Sequence, residues 1–415
     1  MAGLFILGGS TFYTLQLLDS LKSFDLLPKL SRIALFGRNE KRLALIAEAG
    51  TNLLDDAVQI EVTTDIKDCL DPDFDILFNQ IRFGGLQARS QDEKAAIDVG
   101  LPADETLGIV GASNAIRAIV GVKTYLETIA QKSSPFTLIN FTNPCSIVCQ
   151  YLAQQLSNPV WGVCDYPAYM RKEIATAMGV PISAIEVSYF GLNHFGFIYG
   201  VQLNGQDVFA QVMQKKLAFR PDCNSYFESL LNISWSFVFE PERITARQRA
   251  QDNRASVLLS FEGEMETLLE SGVRDPGAYL SVLAKRNCDW YNLAVSPTIA
   301  RLLNVSGEAV YLNCDAGDPF DLGLEKTIVE SNVRLDCGQA QPRLAPAALL
   351  TSPEYQLVRT MKKTEGLLLD GILSVDQEMI MASCLLNPMI RDLDKATNYF
   401  ERLAQSDPTI ADFWC

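Results

Sequence analysis

The chain holds a single histidine, His194, and that scarcity limits its chemistry at once. A Ser-His-Asp triad could draw on no other imidazole, and a metal site with two or more His ligands is excluded. Any cation must be held by cysteine, carboxylate, water or the ligand itself, besides that one ring. His194 closes the segment Gly191-Leu-Asn-His194 between Phe190 and Phe195, a setting that also suits an ordinary half-buried histidine. Cys164 and Asp165 follow the apolar run Val160 to Val163, so both side chains emerge at the carboxyl end of a strand, where ligands collect in open α/β sheets. The bland alternative is a buried free thiol beside a helix N-cap, because Asp165 precedes Pro167 and a helical pattern.

Arg82 and Arg89, in Gln80-Ile-Arg-Phe-Gly-Gly-Leu-Gln-Ala-Arg89, suit either a clamp for an anionic or hydroxylated ligand or solvated loop charges. Asn140 and Asn143, in Asn140-Phe-Thr-Asn-Pro144, lie just beyond another apolar strand, where Asn bonds sugar hydroxyls or its own turn. Gly8-Gly9-Ser10-Thr11-Phe12 follows a first short strand and opens a helix, which offers backbone N–H groups and a helix N-terminus to a pyrophosphate. A plain tight turn is the other reading. At the end of the second strand, where Asp or Glu usually meets the adenosine ribose, the chain has Arg38 and Asn39; an Arg there suits a ribose phosphate, so NADP stands beside NAD.

The elements that must position these groups alternate. Leu4 to Leu7, Ser31 to Phe36, Gln59 to Val62, Phe74 to Phe78 and Phe136 to Asn140 are short apolar runs separated by helical patterns such as Glu40 to Ala49, which predicts a right-handed, mostly parallel, doubly wound sheet of Rossmann type. After Cys164 come a helix from about Ala168 to Met178 and a β-rich patch, Ile185 to Val208. Helices follow around Ala246 to Leu269 and Gly277 to Lys285, and a strand from Ala309 to Asn313. The expected organisation is a dinucleotide-binding part over 1–164 fused to a second α/β part over 165–415 that carries metal, substrate and oligomer contacts. No repeat, low-complexity linker or flexible joint marks the boundary.

Bulk composition narrows the partners. With 415 residues, 48% hydrophobic, the chain can bury a large core, and its 50 acidic against 35 basic residues, net −15, disfavour nucleic acid or an anionic membrane. No run reaches membrane-spanning length, and the N-terminus lacks the basic region of a signal peptide. Ten cysteines without a CxxC pair read as reduced thiols, so a cytoplasmic protein with a small-molecule ligand is expected.

Taken in order, Gly8-Gly-Ser-Thr-Phe-Tyr-Thr14, the segment Gln80 to Glu93, Asn140-Phe-Thr-Asn-Pro-Cys145, Gly162-Val-Cys-Asp-Tyr-Pro167, Gly191-Leu-Asn-His194 and Pro276-Gly-Ala-Tyr-Leu-Ser281 resemble glycoside hydrolase family 4, the NAD- and divalent-metal-dependent glycosidases. These are an exception to the two-carboxylate scheme of sugar hydrolysis. The resemblance spans residues 1 to about 315. It implies a Rossmann part related to lactate and malate dehydrogenases and a homodimer or homotetramer. It also implies a cycle in which NAD transiently oxidises the sugar at C3, the C2 proton is removed, the C1 group is eliminated, water adds and the ketone is reduced back. Cys164 and His194 would hold the metal, typically manganese, and Gly8 to Phe12, Arg38, Asn39 and Asn140 would face the cofactor. Tyr279 would be the base, and Asp165 the leaving-group acid of members with a Cys-Asp pair, which are 6-phospho-α-glucosidases. Arg82, Asn143, Asn193 and Arg274 would contact the sugar or its phosphate.

The departures are Ser10 at a fingerprint glycine, Arg38-Asn39 at the second strand's end, Ala112-Ser113-Asn114 in place of a Gln-Glu-Thr segment, and no clear basic run around Trp290-Tyr-Asn-Leu-Ala294. They leave open a sugar or hydroxy-acid dehydrogenase, or a non-catalytic sugar- or nucleotide-binding paralogue.

Overall fold

Alternate residues of the first strand part company: Leu4 and Ile6 pack with one set of helices, Phe5 and Leu7 with another. That is the period of two expected of a strand buried on both faces, and it is why the run reads as continuously apolar. The computed structural model describes residues 1–305, 309–336 and 339–414. Six such strands, β1 (Ala2–Leu7), β2 (Leu30–Phe36), β3 (Gln59–Thr63), β4 (Phe74–Asn79), β5 (Thr137–Asn140) and β6 (Val160–Gly162), pair in parallel in the order β3-β2-β1-β4-β5-β6. This is the doubly wound nucleotide-binding order. Helices α1 (Thr14–Ser23) and α2 (Glu40–Leu53) cover the Leu4 and Ile6 face. On the Phe5 and Leu7 face lie α4 (Gly108–Ile129) and α5 (Cys145–Gln155), while α3 (Gly85–Asp98) packs beside α4.

The sheet does not stop at β6. It continues through antiparallel strands β7 (Ile185–Leu192), β8 (Phe195–Leu203), β10 (Leu230–Leu231), β11 (Val310–Asp315) and β12 (Ile328–Asp336) in the order β6-β11-β12-β7-β8-β10, with β9 (Gln206–Asp207) and β13 (Gln339–Pro342) at its margin. The expected boundary at residue 164 therefore falls inside one 13-stranded sheet. The C-terminal helices also return to the first part: Tyr399 and Phe400 join the Phe5 cluster, and Asp407 pairs with buried Arg117 at 2.9 Å. The strands of the two expected parts keep to opposite sides of that sheet, β1 to β6 on one and β7 to β13 on the other, and the C-terminal helices cross back.

The helix expected over Ala246 to Leu269 is two helices, Pro241–Arg249 and Arg254–Glu270, because the Asn253 side chain accepts from the Ser256 amide and starts a new one. The helix after Cys164 is α6 (Tyr166–Met178). Eight cysteines are free thiols, and Cys337 and Cys415 lie outside the described residues. Among the described residues no helix is long and apolar enough to cross a membrane.

Candidate active site

Cys164 and His194 leave the sheet from β6 and β7, and the fold brings them together. The Tyr166 ring meets the His194 ring edge to face, 4.7 Å between centroids, and the side-chain amide of Asn193 faces the Cys164 thiol. His194 holds a positive φ of 63°, a conformation uncommon outside glycine. Its Nδ1 and the neighbouring Asn193 Oδ1 are buried without a hydrogen-bond partner. They are two of several buried polar atoms left unpaired in the chain, and a bound ligand would satisfy them. Burial depresses the imidazole's basicity, which leaves a neutral ring with a free lone pair, and burial, followed by the negative charges of Glu330 and Asp165, pushes the Cys164 thiol well up. A thiol so placed ionises only against a cation. Among the described residues no group of three or more His, Cys, Asp or Glu side chains converges on a cation. A metal here would be held by one thiolate and one imidazole, with water or substrate completing its shell, the open arrangement that suits catalysis.

Asp165 sits at the start of α6 but makes no capping hydrogen bond, so the N-cap alternative fails. Burial, with Asp289 nearby, pushes its carboxyl up to about 6, and Cys288 is a further neighbour. The segment that brings Cys288 and Asp289 here also carries Tyr291. This phenol is buried, donates to Gln80 Oε1 at 2.8 Å, and lies against Phe141 with ring centroids 5.7 Å apart. It begins a five-residue π-helical stretch, Tyr291–Val295, a local widening frequent at functional sites. Burial pushes the Tyr291 phenol well up while the Arg286 guanidinium pulls it down. Arg286 itself lies flat over Trp290 and Tyr13, at 4.0 and 4.4 Å.

Tyr279 and Arg274 are elsewhere. The Tyr279 hydroxyl donates to the Val273 carbonyl, its neighbours are Asn52 and Glu48 near the end of α2, and exposed Arg274 pairs with Glu48 at 3.1 Å. That is the end of α2 remote from the strands' carboxyl edge, and the phenol placed at the strand ends is Tyr291. Its signal in the sequence was a tyrosine in the Trp290 to Ala294 segment, noted only for lacking basic residues.

The remaining candidates divide. Arg82 and Arg89 are not solvated charges; both pair with Glu105, Arg89 at 2.8 Å, and Arg89 also with Glu93 at 2.6 Å. Burial raises the Glu105 carboxyl, but the two guanidinium groups more than offset that and hold it well below the usual range. Asn140 is spent internally, accepting from Asn79 Nδ2 at 2.8 Å and donating to the Thr142 carbonyl at 3.0 Å. Asn143 gives only its carbonyl, to Asn114 Nδ2 at 3.1 Å, and its side chain has no partner among the described residues. Ser113, of the altered Ala112 to Asn114 segment, bonds buried Asp92 and Tyr399.

The glycine-rich turn fits a dinucleotide. Gly8 has φ 89°, and a Cβ there would stand 3.0 Å from the Ile81 amide nitrogen. The Gly8 and Gly9 amides donate to the Phe36 carbonyl, whereas those of Ser10, Phe12 and Tyr13 find no acceptor among the described residues and remain for a phosphate. Ser10 is accommodated because residue 37 is glycine: a Cβ on Gly37 would come 2.8 Å from the Ser10 hydroxyl oxygen. Thr11 closes the turn onto the Gly8 carbonyl, and Phe12 is buried under the Arg42 guanidinium, 4.6 Å away. Asn39 caps α2 through the Arg42 amide, and Arg38 is exposed at the end of β2.

Fold and site together define a Rossmann-type α/β protein whose strand ends converge on a thiol, an imidazole, a carboxyl group and a phenol. Residues 4–180 match the model of the family 4 glycosyl hydrolases. It is 22% identical over 414 residues to the 6-phospho-beta-glucosidase BglT of Thermotoga maritima, with 97% of each chain covered. It is 30% identical over 198 residues to the maltose-6'-phosphate glucosidase MalH of Clostridium acetobutylicum, which covers 46% of this chain and 44% of that one. In fold it is similar to the T. maritima 6-phospho-beta glucosidase solved with manganese, NAD+ and glucose-6-phosphate, at a TM-score of 0.85 and 20% identity over 98% of each chain. It is more distantly similar to Cryptosporidium parvum malate dehydrogenase, at a TM-score of 0.55 and 14% identity over 90% of this chain and 99% of that one.

Proposed function

We propose that this chain is a family 4 glycosidase, metal- and nicotinamide-dependent, that hydrolyses an α-linked 6-phosphoglucoside. The observation that carries the reading is the pair of buried, unpartnered atoms, His194 Nδ1 and Asn193 Oδ1, with the Asn193 amide on the Cys164 thiol and Asp165 next to it. Full-length similarity to a 6-phospho-beta-glucosidase supports the sugar phosphate but leans to the other anomer; Asp165 and the partial similarity to a maltose-6'-phosphate glucosidase favour the α linkage.

When bound, the cofactor supplies a hydride acceptor through the turn Gly8 to Phe12, and the cation held by Cys164 and His194 supplies a Lewis acid. Tyr291 takes the proton from C2 of the sugar. Asp165, whose carboxyl burial pushes up to about 6, gives its proton to the departing oxygen. Arg82 and Asn143 hold the sugar and its phosphate, and Gln80, as acceptor of the Tyr291 hydroxyl, aims the base. A cytoplasmic homodimer or homotetramer belongs to the same reading.

The test is turnover of matched nitrophenyl α- and β-6-phosphoglucosides by reduced protein with Mn²⁺ and NAD⁺. Release from the α substrate without net NADH is expected. Preference for the β substrate would reverse the linkage, and accumulating NADH would instead identify a dehydrogenase. Asp165→Asn is expected to slow glucosides with poor leaving groups by about 10²–10⁴-fold and nitrophenyl substrates far less, because only the former need a proton at departure; equal effects on both would remove Asp165 from that role.

Arg38 bears on the cofactor. Exposed at the end of β2, it is placed to meet a 2′-phosphate. Arg38→Ala is expected to weaken NADP⁺ binding by about tenfold, the loss of one charge-assisted contact, and to leave NAD⁺ binding unchanged, as read from thermal-shift titrations.

A further inference from the structure

We propose that Glu330 is a positioning residue of the metal site: a buried carboxylate that holds the Asn193 amide against Cys164 and balances the charge of the bound cation. This rests on the reading of Cys164 and His194 as metal ligands. Four adjacent strands place one row of residues side by side. Gly162 of β6 lies opposite Asn313 of β11, Asn313 opposite Glu330 of β12, and Glu330 opposite Gly191 of β7. The two ligand loops leave from the two ends of that row, Cys164 just past Gly162 and His194 just past Gly191. Glu330 sits between them.

Its surroundings are built to receive a carboxylate. The side chain is 1% exposed and accepts from the Tyr189 hydroxyl at 2.9 Å and Asn313 Nδ2 at 2.8 Å, while the Asn193 amide faces both it and the Cys164 thiol. Glycines keep the space its donors need: a Cβ on Gly196 would come 2.2 Å from the Tyr189 hydroxyl oxygen, and one on Gly162 would come 2.8 Å from the Asn313 Cβ.

What the site lacks is a positive charge. The most buried ion pair lies elsewhere, Arg117 with Asp92, and no ion pair among the described residues includes Glu330. Burial pushes its carboxyl up to about 7. A buried carboxylate supported only by neutral donors is costly to the fold. A divalent cation on the adjacent thiol supplies the missing charge, in the manner of the outer carboxylates that orient metal ligands elsewhere.

The experiment is calorimetric titration of Mn²⁺ into reduced wild-type, Cys164→Ala and Glu330→Gln protein, with thermal melts of each in the absence of metal. Glu330→Gln keeps the shape and removes the charge. It is expected to bind Mn²⁺ at least about tenfold more weakly than wild type, with a metal-free Tm equal to or above that of wild type. A merely structural role predicts the opposite pair, a lower Tm with unchanged affinity. Wild-type affinity in Glu330→Gln overturns the proposal. Should that variant not fold, Glu330→Asp, which withdraws the charge by one methylene, takes its place: weakened binding supports the proposal and wild-type affinity overturns it. Absence of Mn²⁺ binding by wild type, or undiminished binding by Cys164→Ala, overturns the metal reading and this inference with it, so the two failures are distinct.

Discussion

Tyr291→Phe is expected to lower kcat by about 10²–10⁴-fold, the range for loss of a positioned acid or base, while Tyr279→Phe leaves kcat near wild type. The two variants make the same chemical change at two buried phenols, so the contrast isolates location. Tyr291 bonds Gln80 at the end of β4 and packs on Phe141 beyond β5, where the strand ends gather their ligands. Tyr279 bonds the Val273 carbonyl in its own neighbourhood near the end of α2. Removing that bond is expected to cost about 1 kcal/mol of stability, visible as a lower Tm and not as lost turnover. Steady-state rates on one 6-phosphoglucoside decide it; a rate collapse in Tyr279→Phe with normal rates in Tyr291→Phe would return the base to the residue the sequence suggested. Because burial pushes the Tyr291 phenol well up, it needs neighbouring positive charge to accept a proton at neutral pH, and Arg286 is the protein group on hand to lower it.

Cys164→Ala is expected to abolish tight metal binding and to reduce turnover by about 10³-fold or more, since a Lewis acid contributes several kcal/mol and each 1.36 kcal/mol is tenfold in rate. The reason lies in how few ligands the chain offers. There is one imidazole in the sequence, and no third His, Cys, Asp or Glu joins the pair among the described residues. Losing the thiolate leaves a single protein donor, which cannot hold a cation against water. Calorimetry with Mn²⁺, together with turnover before and after chelation, measures both effects. A variant that keeps chelator-sensitive activity would place the metal elsewhere.

Several features were legible before any coordinates. The strand ending in Cys164, the turn at Gly8 and Gly9, and the segment around His194 each carry their message within a few residues, through apolar runs and turn chemistry. The family resemblance rested on the same short stretches, and the parallel, doubly wound sheet followed from alternating helical and strand patterns. Less legible was anything that depended on pairing. Arg82 and Arg89 read equally well as ligand clamps or surface charges until Glu105, from the loop before α4, was seen between them. Asn140 and Asn143 looked alike, yet one is consumed by Asn79 and Thr142 and the other keeps its side chain free.

By itself the sequence limited which chemistry is open: with one histidine, a thiol next to a carboxyl group at a strand end, and a glycine turn before a helix, any metal site must be sparse and any dinucleotide cradle lies at that turn. Only the tertiary structure decided which tyrosine reaches the strand ends, that the chain's last helices pack on α3 and α4, and that Glu330 stands between the loops of Cys164 and His194. The physical reason is that periodicity records how each segment meets the core, whereas the neighbours of a side chain are set by strand pairing between segments far apart in the chain, as where Gly162, Asn313, Glu330 and Gly191 form one row across four strands.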